Sequence, residues 1–123
     1  MWWAADPVAE LTIYHNPNCS TSKNVLALAA DAGVDVEIVQ YLKNPPSRQR
    51  LTWLVEHLDG PVSDLVRKDP FFKELGLDPA DYTEPAAVVD LLEEHPRLMQ
   101  RPLLVKGNRV VIGRPKERAT ALF

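Results

Sequence analysis

The order of elements near the start of the chain constrains its fold more than any other feature. Residues 11–14 alternate as a short strand, and residues 34–38 alternate apolar with acidic side chains as a second strand. Strands joined by a helical crossover lie parallel in a right-handed unit, so the pattern predicts a βαβ unit. The helix is indicated by apolar residues at helical spacing, which stop before a glycine suited to a helix end: Val25, Leu28, Ala29, Ala32 and then Gly33.

Residues from 47 to about 96 are predicted to form a block of short helices. Ser47 is suited to cap one amphipathic helix, and His95-Pro96 ends another. Proline-containing pairs break the chain between them, at Gly60-Pro61, Asp69-Pro70 and Asp78-Pro79. The apolar stripes that indicate the two helices are Leu51, Leu54, Val55 and Leu58, and Val88, Leu91 and Leu92.

The end of the chain has the pattern of a β-hairpin followed by a short helix. Two apolar runs flank Gly107-Asn108, where glycine suits the positive φ of a type II′ turn, and Pro115 opens a helix that ends in Leu122-Phe123. The order βαβ, helices, ββα predicts an α/β, thioredoxin-like fold: a mixed four-stranded sheet with a helical insert. We expect residues 11–123 to form this single domain, preceded by an N-terminal extension over residues 1–10.

Length, charge and cysteine content exclude several classes of protein. A chain of 123 residues buries roughly two thirds of its unfolded surface as one domain, without a disulfide or metal to hold it together. The formal charge of −3, with acidic and basic residues interspersed, argues against a nucleic-acid partner. With one cysteine and no secretory or membrane-spanning segment, the sequence predicts a protein of the reducing cytoplasm.

The single cysteine, Cys19, lies between the first strand and the first helix, which is predicted to begin near Thr21. Unpaired N–H groups and the positive end of the dipole at a helix start favour a thiolate, so Cys19 is a candidate nucleophile. The alternative is a buried, inert thiol. Ser22 occupies the position of a resolving cysteine, so any redox cycle needs an external thiol. Val25 stands where a Cys-x5-Arg phosphatase loop has its arginine, which argues against phosphatase chemistry. His15 either polarises the thiol or merely packs near it.

Three arginines, Arg67, Arg101 and Arg114, lie beside turn or proline signals. Guanidinium groups supply the planar donors that a tetrahedral oxyanion needs, although each arginine taken singly is typical of a solvated surface. Arg101 is the strongest candidate, because Pro102 begins the third strand, where thioredoxin-like folds hold a cis proline beside the active cysteine.

These residues resemble the glutathione- and glutaredoxin-dependent arsenate reductase (ArsC) family. The resemblance covers residues 11–123, and residues 112–118 are also similar to arsenate reductase-like paralogues. It implies that Cys19 is the catalytic cysteine, that His15 helps to lower its pKa and that Ser22 is a hydroxyl neighbour of the thiolate. It also implies that Arg67, Arg101 and Arg114 bind the oxyanion and that Pro102 is the cis proline. The motifs that carry the resemblance are residues 13–22, 41–47, 101–102 and 112–115.

The resemblance further implies an arsenate reductase that acts in arsenic detoxification. Cys19 would attack arsenate, glutathione would reduce arsenic as a co-substrate, and a glutaredoxin would regenerate the enzyme, with no bound cofactor. His57 and His95 lack further ligands at metal spacing, so no metal is predicted. Two alternatives stay open: an Spx-like regulator that binds RNA polymerase, and a monothiol glutaredoxin-like module that takes glutathione or an iron–sulfur cluster.

Overall fold

A four-stranded mixed sheet forms the centre of the protein, whose computed structural model describes residues 11–123. The predicted N-terminal extension lies outside the described residues. The strands are β1 (Leu11–His15), β2 (Val36–Gln40), β3 (Leu103–Lys106) and β4 (Arg109–Ile112), in the sheet order β2-β1-β3-β4.

The strand directions confirm the predicted βαβ and ββα units. Strand β1 pairs in parallel with β2, with Ile13 opposite Ile38, and antiparallel with β3, with Ile13 opposite Leu104. Helix α1 (Ser20–Asp31) makes the crossover, and Gly33 follows it with a φ of +73°. Strands β3 and β4 form the predicted hairpin, in which Gly107 has a φ of +60°. This is the thioredoxin-like arrangement.

The segment between β2 and β3 is helical, as the sequence predicts. It contains α2 (Arg48–Glu56), α3 (Pro70–Glu74) and α4 (Pro85–Glu94), joined by single 3₁₀ turns. The predicted cap is present, because the Ser47 hydroxyl accepts a hydrogen bond from the Arg50 N–H at 3.1 Å. Each of the three helices is short because the chain breaks again at a proline or a turn within about ten residues.

The sheet separates two apolar clusters, because successive side chains on a strand point to opposite faces. One cluster packs the sheet against the helical insert and includes Tyr14, Tyr41, Leu51, Phe72, Leu92, Leu103 and Val110. The other packs it against α1 and α5 (Lys116–Thr120), and its buried members are Leu11, Ile13, Val25, Leu104, Val111, Ala119 and Leu122. Both faces of the sheet are therefore covered, and the loop that carries Cys19 lies at one end of the sheet.

Three boundaries differ from the sequence predictions. Helix α1 begins at Ser20, one residue before the predicted Thr21, and α5 ends at Thr120 because a tight turn follows, in which the Leu122 N–H donates to Ala119. Strand β2 begins at Val36, and Ile38 is 51% exposed. The alternation of valine and isoleucine with acidic residues predicts one buried face, but β2 is an edge strand that lies at the margin of the packed helices.

Candidate active site

Cys19 lies where the chain leaves β1 and enters α1, as its N-cap residue. The loop is held by its own polar groups: the Asn18 N–H donates to the Asn16 side chain at 2.9 Å, and the Cys19 N–H donates to the Asn16 carbonyl at 3.0 Å. These short-range bonds are typical of an asparagine turn. They set the sulfur over the open first turn of α1, where only 7% of Cys19 is exposed.

Positive groups surround the Cys19 sulfur. The Arg114 Nη2 donates to Sγ at 3.1 Å. Burial raises the pKa of the Cys19 thiol, but the Ser22 N–H, the Arg101 side chain and the charges of Arg101 and Arg114 outweigh it, so this pKa lies below that of a free thiol. The site therefore favours the thiolate, the form of cysteine that acts as a nucleophile.

Arg114 is positioned by the segment that carries Arg101. Its Nε donates to the Arg101 carbonyl at 2.7 Å, and the Gly113 N–H donates to the Pro102 carbonyl at 2.9 Å. The Arg101-Pro102 bond, for which the sequence predicts the cis form, is cis, and so is the Arg114-Pro115 bond, which was not predicted. A Cβ on Gly113 would lie 2.9 Å from side-chain atoms of Leu104 and Pro102, so only glycine allows this close approach.

Arg67 reaches the site through a tertiary contact between distant segments. The Arg67 N–H donates to the Leu98 carbonyl at 2.8 Å, and the Gln100 N–H donates to the Leu65 carbonyl at 2.7 Å. Burial lowers the pKa of Arg67, and the charges of Arg101 and Arg114 lower it further, although the Asp69 carboxylate, 3.6 Å from Arg67 Nη1, and Cys19 oppose this shift. The structure thus brings the three predicted arginines close enough to repel one another, next to the thiolate. Such a cluster suits an anion with several oxygens.

His15 and Ser22 form a buried pair behind the cysteine. His15 Nδ1 lies 2.6 Å from the Ser22 hydroxyl, which also accepts from the Asn16 N–H at 3.2 Å. Burial, and then the charge of Lys23, lowers the pKa of His15, so its ring is neutral at neutral pH. A neutral ring has one N–H and one acceptor nitrogen, so a single hydrogen bond joins Nδ1 to the Ser22 hydroxyl. His15 is placed to act on Cys19 through the Ser22 segment rather than by direct contact.

Tyr41 and Asn16 belong to this site, although sequence reasoning gave neither a role. Tyr41 is fully buried, and within the described residues its hydroxyl and the Arg101 Nε have no hydrogen-bond partner of normal geometry. Burial raises the pKa of Tyr41, while the charge and N–H groups of Arg101, the Asn16 side chain and the charge of Arg67 oppose this shift. Tyr41 is the first residue of the motif over residues 41–47, so the family resemblance includes it. Nothing in the sequence indicates that it lies beside Arg101.

Other predicted features lie outside this site. His57 Nδ1 lies 2.8 Å from the Trp53 carbonyl, and His95 lies beside Glu94. Over residues 11–123, no group of three potential metal-ligating side chains is found. Within the same range, no helix is long and apolar enough to cross a membrane.

Comparisons with known proteins cover the whole site. The sequence model of the ArsC family matches residues 14–122. An arsenate reductase of Rhizobium meliloti (strain 1021) is 42% identical over 109 residues, which cover 87% of this chain and 76% of the relative. An arsenate reductase of Neisseria meningitidis serogroup B is 34% identical over 116 residues, which cover 93% and 98% of the two chains. The solved structure of an arsenate reductase from Vibrio cholerae has a TM-score of 0.82 and 32% identity, covering 95% of this chain and all of its own.

Proposed function

Because this chain belongs to the ArsC family, we propose that it is an arsenate reductase in which Cys19 is the nucleophile and external thiols supply the electrons. The observation that carries the proposal is the thiolate environment of Cys19, with Arg114 Nη2 at 3.1 Å from Sγ and Arg101 and Arg67 beside it. An arsenate oxyanion is a poor electrophile, so attack on it needs both a thiolate and donors that neutralise its oxygens.

In the first step, Sγ of Cys19 attacks pentavalent arsenic. A sulfur–arsenic bond forms and an arsenic–oxygen bond breaks; the departing oxygen takes a proton from solvent and leaves as water. Arg67, Arg101 and Arg114 hold the remaining oxygens, where their N–H groups compensate the charge that develops on them. The N-terminus of α1 adds backbone donors on the same side.

In the second step, a thiolate from outside the chain attacks Sγ of Cys19. A disulfide forms, and the electron pair of the sulfur–arsenic bond passes to arsenic, which becomes trivalent and leaves as arsenite after protonation. The chain has one cysteine, and Ser22 stands in the resolving position, so the chain itself cannot supply this thiol. Glutathione is the proposed co-substrate, a glutaredoxin the proposed partner that reduces the mixed disulfide, and the reducing cytoplasm the proposed location.

The two alternatives from the sequence are not favoured. An Spx-like regulator senses oxidation through a pair of cysteines, and Cys19 is unpaired. The sequence relatives described above are named arsenate reductases rather than regulators or cluster-binding modules. The arginine cluster around Cys19 also suits an oxyanion better than a neutral ligand.

The test is arsenate-dependent oxidation of NADPH in the presence of glutathione, glutathione reductase and a glutaredoxin. We expect turnover with the native chain, none with Cys19→Ser, and unchanged turnover with Ser20→Ala, which alters an exposed neighbour of the nucleophile. Turnover that survives in Cys19→Ser contradicts the assignment of the nucleophile. A native chain whose Cys19 reacts fast with iodoacetamide but shows no turnover contradicts the proposed reduction of arsenate by these thiol donors.

A further inference from the structure

A cleft of about 300 Å³ adjoins the Cys19 site on the side of Arg114. Arg114 links the two, because it lines the cleft while its Nη2 contacts Cys19 Sγ. The buried side chains of Val66 and Ile112 contribute to the apolar part of the lining. A molecule lying in the cleft would therefore contact the same arginine that donates to the nucleophile.

The rim of this cleft is rich in positive charge. Lys68, Arg114 and Arg118 line it, together with a single carboxylate, Asp64. The Lys68 ammonium donates to the Ser63 carbonyl, and the Arg118 guanidinium donates to the Asp59 carbonyl at 3.2 Å. Within residues 11–123, neither Lys68 nor Arg118 forms an ion pair with a carboxylate. Among the described residues, the charges of both are therefore not engaged in an ion pair.

We propose that this cleft binds the carboxylates of the thiol co-substrate and directs its sulfur to Cys19, with Lys68 and Arg118 as binding residues. The inference rests on the proposed function, because it concerns the thiol that the single cysteine requires. A low-molecular-weight thiol with more than one carboxylate, such as glutathione, fits the three cations. Asp64 is the one group on the rim that complements the ammonium of such a thiol.

The charge pattern discriminates between classes of thiol. A neutral thiol such as 2-mercaptoethanol gains nothing from Lys68 and Arg118, whereas a dicarboxylate gains an interaction with each. Because the rim is open to solvent, each such interaction is modest, and selectivity rather than tight binding is expected. The same argument applies to a disulfide that carries the same groups.

The experiment measures the thiol–disulfide exchange of Cys19 with two disulfides. In each, the Cys19 thiolate attacks one sulfur, a new disulfide to Sγ forms, and the other half leaves as a thiolate. One probe is glutathione disulfide, and the other is the uncharged hydroxyethyl disulfide. The ratio of the two rate constants reports recognition of the charged groups, and any change in thiolate reactivity cancels from it.

We expect Lys68→Glu and Arg118→Glu each to lower this ratio by roughly fivefold at physiological salt. The control is Lys106→Glu, which reverses the same charge at the far end of β3 from Pro102 and should change the ratio by less than roughly twofold. An unchanged ratio in both cleft variants, or an equal fall in the control, overturns the proposal. The exchange assay contains no arsenate. If the native chain does not turn over arsenate but the cleft variants lower the ratio as expected, the result counts against the proposed function alone.

Discussion

Two kinds of hydrogen-bond donor stabilise the thiolate of Cys19, side-chain guanidinium groups and a backbone N–H, and the sequence alone does not show which residue contributes which kind. Guanidinium groups approach it from Arg101 and Arg114, and the Ser22 N–H approaches it from the first turn of α1. The Ser22 hydroxyl, by contrast, is engaged with His15 and the Asn16 N–H. Ser22 therefore acts on the thiolate through its backbone, while its side chain anchors the strand-to-helix loop.

This division predicts different effects for two substitutions, one on the reactivity of Cys19 and one on stability. Arg114→Ala should lower the rate of iodoacetamide alkylation at pH 6 by roughly tenfold, because losing a charge-assisted donor raises the pKa of Cys19. Ser22→Ala should leave the pH midpoint low but reduce the free energy of unfolding by about 1–3 kcal/mol, because it leaves His15 Nδ1 and the Asn16 N–H buried and unpaired.

The measurements are alkylation rates between pH 4 and 10 and urea unfolding of each variant. Since the pKa of Cys19 is lowered by folding, the thiolate's contribution to stability is present above the unfolded pKa and is lost as the pH falls through the folded one. Arg48→Ala, which removes an exposed ion pair with Asp90, serves as the control. A midpoint that rises in Ser22→Ala as far as in Arg114→Ala would show that the hydroxyl itself stabilises the thiolate.

At the scale of elements, the site depends on how closely the end of β4 passes Pro102. Gly113 provides this approach, because its position has no room for a Cβ, and Arg114 follows it directly. Local sequence signals predicted the elements on either side: the Ser47 cap, the Gly107 turn and the helix after Pro115 are all present. They could not predict the contact of residues 65–67 with residues 98–100, which places Arg67, because it depends on tertiary packing.

Gly113→Ala is therefore expected to damage both stability and the site. The added Cβ, 2.9 Å from atoms of Leu104 and Pro102, should cost about 1–3 kcal/mol in the free energy of unfolding and displace Arg114, which raises the pKa of Cys19. Gly33→Ala is the matched control, because its cost arises from a φ of +73° with no atom within 4 Å. Urea unfolding should show a loss in both variants, and alkylation should slow in Gly113→Ala alone. Equal alkylation rates would contradict the positioning role of Gly113.

Across the whole molecule, the fold joins three distant stretches of chain at one end of the sheet. The loop over residues 15–22 supplies the thiolate, the insert supplies Arg67, and residues 101–114 supply two further arginines. The order of elements was enough to predict the fold, and the family resemblance was enough to name these residues. The pairing of His15 with Ser22 depends on packing geometry, and so does the Tyr41 hydroxyl, which is buried without a hydrogen-bond partner among residues 11–123. The sequence does not encode this geometry in any local pattern.

This convergence of positive charge has a consequence for the stability of the molecule. Burial and the neighbouring guanidinium groups lower the pKa of Arg67, so the folded state without an anion disfavours its charged form. An oxyanion that binds among the arginines relieves this repulsion and binds only the folded state. Arsenate at 100 times its dissociation constant should therefore stabilise Cys19→Ser, which cannot react, by about 2.7 kcal/mol.

The measurement is thermal and urea unfolding of Cys19→Ser at constant ionic strength, with arsenate replacing chloride. Adding Arg101→Ala or Arg67→Ala should weaken arsenate binding by about 1.5–3 kcal/mol, and thus remove most of the stabilisation. Adding Arg109→Ala, which breaks an exposed pair with Asp59, should leave the response to arsenate unchanged. If arsenate stabilises the arginine variants as much as their parent, the three arginines do not form the anion site. The unfolding transition would then reflect a general ion effect, because only specific binding distinguishes Arg67 and Arg101 from Arg109.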